Sequence, residues 1–195
     1  MLRSLVLIII LTVMAFAQPH EWHVDKNAKN LVKFTSEVVV LTFDGVTDNI
    51  DGYIYWEGET HFEKNTQMLF EVDLNTLDTG NGKRDRDMRD VLETDQWQMT
   101  RFAGEISGFE KIDSTVLAYN VAASGKIHIH GKEKALEAPG VITIDGGKMH
   151  VVCNFSVFLK DFDIEAPTLA AFVKVNEEIK LHLDFYLKNV KEEDH

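Results

Sequence analysis

The strongest constraint on this chain is a strict two-residue alternation over residues 179–188. Ile179, Leu181, Leu183, Phe185 and Leu187 fall on one side, and Lys180, His182, Asp184, Tyr186 and Lys188 on the other. Successive side chains take opposite faces only in an extended strand, so this is a β-strand with one buried and one wet face. The period recurs. Phe70, Val72 and Leu74 oppose Glu71 and Asp73, and Ile127 and Ile129 oppose Lys126, His128 and His130. Weaker versions run over residues 31–36, 38–43, 52–57, 115–122, 141–145 and 149–160.

Turn signals separate these runs: Asp44-Gly45, Gly58, Gly108, Pro139-Gly140 and Asp145-Gly146-Gly147. The last is a hairpin signature, because tight hairpin turns need positive φ, which glycine accepts freely. About eight antiparallel strands of this kind would expose their edges in a flat sheet. Closure into a barrel removes the edges, and a two-sheet sandwich is the alternative.

Two segments break the period. Residues 85–93 place Met88, Val91 and Leu92 at helical spacing among charges, which predicts a short amphipathic helix. Residues 165–176 contain Pro167 and predict a loop with a helical turn. The charged tail, residues 191–195, is expected to fray.

Residues 1–17 read as an export signal: Arg3, an apolar run, and Ala15-Phe16-Ala17 as the small-x-small cleavage pattern. The expected mature chain starts at Gln18 and is periplasmic or secreted, with residues 18–190 as one domain and no integral membrane segment after cleavage. A formal charge of −12 disfavours contact with phosphate backbones, so nucleic acid is not an expected partner. Homodimerisation stays open. With 45% hydrophobic residues the chain has enough apolar side chains for a core. Cys153 is the only cysteine, so packing alone must hold the fold, and its alternating surroundings point to a buried, inert thiol.

No HExxH, GxSxG, GxGxxG or P-loop pattern occurs. His128 and His130 would share a strand face, yet it is the polar face beside Lys126 and no spacing supplies a third ligand. The abundant carboxylates fall mostly on wet faces. Neither a metal, a cofactor nor catalysis is expected.

Particular residues carry a resemblance. Trp22-His23-Val24-Asp25 looks like a W-x-[IV]-D opening, followed by Val32-Lys33-Phe34 and Gly52-Tyr53-Ile54. The run from Val72 through Asp78-Thr79-Gly80-Asn81-Gly82-Lys83-Arg84-Asp85 is similar to a strand, a "D-T-x-N-x-x-R-D" turn and a helix start. Met88, Leu92, Glu93, Thr94, the run 124–131 and the run 157–164 continue it. Together they resemble the YceI-like family of exported lipid-binding barrels. Leu159-Lys160-Asp161-Phe162-Asp163 departs from that family's common Arg-x-Asp-Phe-Gly run, and Trp97-Gln98-Met99 replaces its aromatic-proline step.

The resemblance implies an eight-stranded antiparallel, lipocalin-like barrel whose apolar interior holds a long amphiphile: a polyisoprenoid, an isoprenoid quinone or a fatty acyl chain. Phe34, Phe70, Val72, Ile127, Ile129, Val151, Phe155, Leu183 and Phe185 would then face the ligand, with Met88 and Leu92 closing one end. The residues alone leave open whether this set is pocket or plain core, since eight strands suffice for either. Asp78, Thr79, Arg84 and Asp85 are read either as a head-group site or as a turn and helix start.

Overall fold

The computed structural model describes residues 18–38, 41–112, 115–169 and 173–190. The expected signal (residues 1–17) and tail (residues 191–195) lie outside the described residues. The strands are β1 (Pro19–Val24), β2 (Leu31–Val38), β3 (Leu41–Thr47), β4 (Ile50–Glu57), β5 (Lys64–Asp73), β6 (Met99–Lys111), β7 (Leu117–Ile129), β8 (Lys132–Asp145), β9 (Lys148–Phe158), β10 (Thr168–Leu169), β11 (Val173–Lys174) and β12 (Glu178–Asn189). Between β5 and β6 stand a 3-10 turn (Leu74–Thr76) and the helix α1 (Gly82–Val91), and a second 3-10 turn (Leu159–Phe162) follows β9. Among the described residues no helix is long and apolar enough to cross a membrane.

The large sheet runs β1-β4-β5-β6-β7-β8-β9-β12-β2-β3, and β1 also pairs with β12. That pairing closes eight strands into an antiparallel barrel, the first of the two arrangements the alternation allowed, and not the two-sheet sandwich. β12 is shared: Leu187, Lys188 and Asn189 pair with Val24, His23 and Trp22 of β1, while residues 180–184 pair with β2. The β2–β3 hairpin thus prolongs the wall beyond the point where β1 ends.

The alternation of β12 places its odd-numbered residues inside. Phe185 and Leu187 are buried, and the register sets Leu181, Leu183 and Phe185 opposite Phe155, Cys153 and Val151 of β9. Asp145 and Lys148 pair across the two-residue turn Gly146-Gly147, whose φ values of 51° and 75° are the positive pair a tight hairpin demands.

Other expected punctuation has a different role. Gly45 lies within β3 opposite Phe34, where a Cβ would sit 2.1 Å from the Phe34 ring. Gly108 marks a bulge in β6. Pro139 sits inside β8, where β9 has not yet begun to pair, so its missing N–H breaks no ladder bond. β7 runs unbroken where two strands were expected. Ser124-Gly125 blurs its pattern because Gly125 passes close to β6: a Cβ there would lie 2.3 Å from the Ala103 carbonyl oxygen. β1 and β6 escape the sequence pattern altogether, and residues 165–176 hold β10 and β11, with no helical turn among their described residues.

α1 starts three residues earlier than its periodicity suggested. Asn81 caps it, accepting from the Lys83 and Arg84 amides at 3.0 and 3.2 Å. It stops before Glu93, whose φ of 48° is left-handed. His130, expected on the polar face of β7 with His128, is instead in the turn after it, at φ 51°. Its Nδ1 lies 3.0 Å from the Phe162 carbonyl oxygen and its Nε2 3.1 Å from Glu93. The two histidines therefore do not share a face.

Candidate functional site

The barrel interior is neither solid nor hollow throughout. One cluster packs Trp22, Ile54, Trp56, Phe62, Ile142, Met149, Val151, Phe185 and Leu187, most of them essentially inaccessible. A second joins Ile127, Val157, Leu159, Phe162, Ile164 and Ala166, with Leu92, Ile129 and Phe155 against it. Between the two, under α1, lies a cavity of about 270 Å³. A single water needs roughly 10–15 Å³ on this scale, and organic-ligand pockets begin near 300 Å³.

Sequence period explains the walls. On β5, Phe70 and Val72 face the cavity; on β7, Ile127 and Ile129; on β9, Phe155 and Val157; on β12, Ile179, Leu181 and Leu183; on β2, Val32, Phe34 and Ser36. Met88 and Val91 of α1 and the capping residue Leu92 close over it, joined by Arg84 and Asp87. Of the expected site residues, Phe34, Phe70, Val72, Met88, Leu92, Ile127, Ile129, Phe155 and Leu183 line this space. Val151 and Phe185 do not. They lie further along β9 and β12, where inward side chains meet across the barrel, and Phe185 packs edge-on to Phe70 at 5.0 Å.

The sequence did not single out Phe43, Phe102, Leu159, Phe162, Ile164, Pro167 or Val175, which also line the cavity. Phe102 belongs to the unread strand β6. The next three come from the second 3-10 turn and its exit, where period two no longer applies. Leu159 stands where the resembled run has arginine, and it is buried against the cavity. Asp163, in the place of that run's glycine, is left-handed (φ 56°) and pairs with Lys132 at 2.6 Å.

The lining is poor in polar groups: Ser36, Arg84, Asp87, Thr100 and Arg101 alone. Arg101 pairs with Glu71, and Asp87 with Lys83 at 2.7 Å. The Thr100 hydroxyl donates to the His128 carbonyl at 3.0 Å. Arg84 donates from Nε and Nη2 to the Thr79 hydroxyl and carbonyl, and its guanidinium lies 4.8 Å from the Phe43 ring centre. Thr79 in turn donates its hydroxyl and amide to Asp85, which holds that carboxyl below its usual range. Asp78 accepts from the Gly80 amide. The cluster thus satisfies itself as a turn and helix start.

Cys153 faces inward with its thiol pushed up to about 11 by burial, the wrong direction for a nucleophile. No group of three or more metal-ligating side chains occurs among the described residues. The arrangement offers an apolar chain a dry, shaped volume.

A family model described as "YceI-like domain" matches residues 22–187. Among solved structures, a polyisoprenoid binding domain from Saccharophagus degradans, implicated in plant cell wall breakdown, is similar at 15% identity and a TM-score of 0.68, covering 86% of this chain and 97% of that one. BcnA of Burkholderia cenocepacia is similar at 15% identity and a TM-score of 0.66, covering 84% and 98%. The Campylobacter jejuni YCEI protein is similar at 16% identity and 0.55, covering 74% and 83%. At these identities the likeness concerns the fold. No curated protein matches the chain.

Proposed function

The chain belongs to the YceI-like family, and from that premise we propose that it binds a long-chain amphiphilic lipid, of polyisoprenoid, isoprenoid quinone or fatty acyl type, without catalysis. The observation that carries the reading is the cavity of about 270 Å³ beneath α1, walled almost entirely by apolar side chains. Burying a chain of roughly ten methylenes at about 0.8 kcal/mol each yields about 8 kcal/mol before the cost of association, with no polar contact required. The polyisoprenoid binding named for the Saccharophagus degradans domain is consistent with such a ligand. The task is sequestration or transport outside the cytoplasm, reached through the signal at residues 1–17.

Solvent extraction of the purified protein followed by mass spectrometry tests the reading. A stoichiometric long-chain compound is expected. Its absence, together with unchanged melting temperatures when delipidated protein meets polyprenyl and acyl ligands, would overturn it, because a ligand bound only to the folded state must raise stability. The exported protein should begin at Gln18, and an intact Met1 would refute the processing.

A further inference from the structure

Ser36 is the anomaly in the cavity wall. It lies on the inward face of β2, directly opposite Phe43, and it is 2% exposed. Its hydroxyl oxygen is buried and has no hydrogen-bond partner among the described residues. Other buried hydroxyls of the barrel are satisfied: Thr47 bonds Thr76 at 2.7 Å, and Thr66 donates to the Ile106 carbonyl at 3.3 Å. The indole N–H groups of Trp22 and Trp56 are also unpaired, but both belong to the packed cluster and neither lines the cavity.

Leaving a hydroxyl buried and unpaired is costly, and an alanine there would cost nothing. A lone water is a poor partner. It needs two to four polar contacts, and Phe34, Phe43, Val175 and Ile179 around this part of the wall supply none from their side chains.

We propose that Ser36 is the hydrogen-bonding position for the ligand's own polar group, and that this group is an uncharged oxygen function (hydroxyl, carbonyl or amide) drawn inside the barrel. This rests on the lipid-binding reading and narrows its ligand class. An ionised carboxylate or phosphate at this depth needs a cation. Of the two arginines on the lining, Arg101 is paired with Glu71, while Arg84 keeps its charge because its partners, Thr79 and the Phe43 ring, are neutral; an anion would therefore bind through Arg84 and not depend on the Ser36 hydroxyl. A bare hydrocarbon would leave Ser36 as it is now.

Displacement of a fluorescent apolar probe by dodecanol, dodecane and dodecanoate, on delipidated wild type and Ser36→Ala, tests this. The variant should lose about five- to tenfold in dodecanol affinity and be unchanged for dodecane. Ser36→Thr, which keeps a hydroxyl, should retain most of the alcohol affinity. Without ligand, Ser36→Ala should melt no lower than wild type, whereas a hydroxyl serving the fold would melt lower when removed. Equal losses for alcohol and alkane, no loss for either, or a wild-type preference for dodecanoate that Arg84→Gln abolishes would each overturn the inference while leaving lipid binding intact. Failure of all three compounds to bind wild type would instead sink the lipid-binding reading, and this inference with it.

Discussion

Phe155 and Phe185 allow one residue type to be compared in two surroundings. They sit on the paired strands β9 and β12, both facing inward, opposite Leu181 and Val151 respectively. Phe185 is 2% exposed in the packed cluster and meets Phe70 edge-on at 5.0 Å. Cutting it to alanine should cost about 4 kcal/mol, the middle of the usual range for a buried phenylalanine, with the aromatic contact supplying about 1 kcal/mol of that. Phe155 is half-buried, with one side of its ring bordering the cavity. That side has no partner atoms to lose, so roughly half the contact energy is at stake and Phe155→Ala should cost about 2 kcal/mol in ligand-free protein. Urea denaturation of the two variants measures the difference directly, provided the slope m is unchanged. A saturating lipid should widen the gap between wild type and Phe155→Ala but leave the Phe185→Ala increment unaltered. Equal costs of about 4 kcal/mol at both positions would refute the reasoning, because they would mean that the cavity is filled by collapse of its own walls in solution.

Two further outcomes follow from the same geometry. Burial raises the Cys153 thiol to about 11 from an ordinary value near 9, so the folded state retains a proton that the unfolded chain gives up. Stability owed to this group is complete below about pH 9 and falls as pH rises toward 11, by about 2–3 kcal/mol at most; Cys153→Ala should lack that component, and a wild type no steeper than the variant over this window would refute it. Gly125→Ala forces a Cβ to 2.3 Å from the Ala103 carbonyl oxygen and 2.6 Å from the Gly104 Cα; both obstacles are backbone, so a thermal melt should register a loss of at least about 2 kcal/mol, and a neutral result would mean that β6 and β7 lie further apart.

How far the architecture was legible depended on whether neighbours disturbed the period. β12 and β9 pack an ordinary side chain at nearly every inward position, so their faces could be read directly. β6 could not, because Gly104 makes room for the passing backbone of β7 and Gly108 makes a bulge. At Gly108 an extra residue within β6 itself shifts the register, whereas Gly104 erases the alternation for a reason that lies in another strand. The same holds for Gly45, which reads as a turn and in fact yields space to the Phe34 ring. The inward set was correct as a set of inward residues, yet nothing along the chain distinguishes Phe155 from Phe185. Which of them borders empty space depends on distance from α1, a property of the closed barrel. His130 was misplaced for a local reason: a left-handed residue ends the strand one position before the alternation does.

The double use of β12 governs the order in which this barrel can assemble. β1 and β2 take up the first part of the fold, but both complete their pairing along β12, at residues 180–189. Until that strand arrives, β1 has only β4 beside it and β2 only β3, so the pairings made early carry open edges. The ring cannot shut by local steps. It waits for contacts that span nearly the whole chain, such as Trp22 with Asn189, and such distant pairings make for slow folding. The packed cluster contains Trp22, Val24, Phe185 and Leu187, two residues from each side of that seam. Sealing the ring and drying the core are therefore one event, and the space beneath α1 is enclosed only after it.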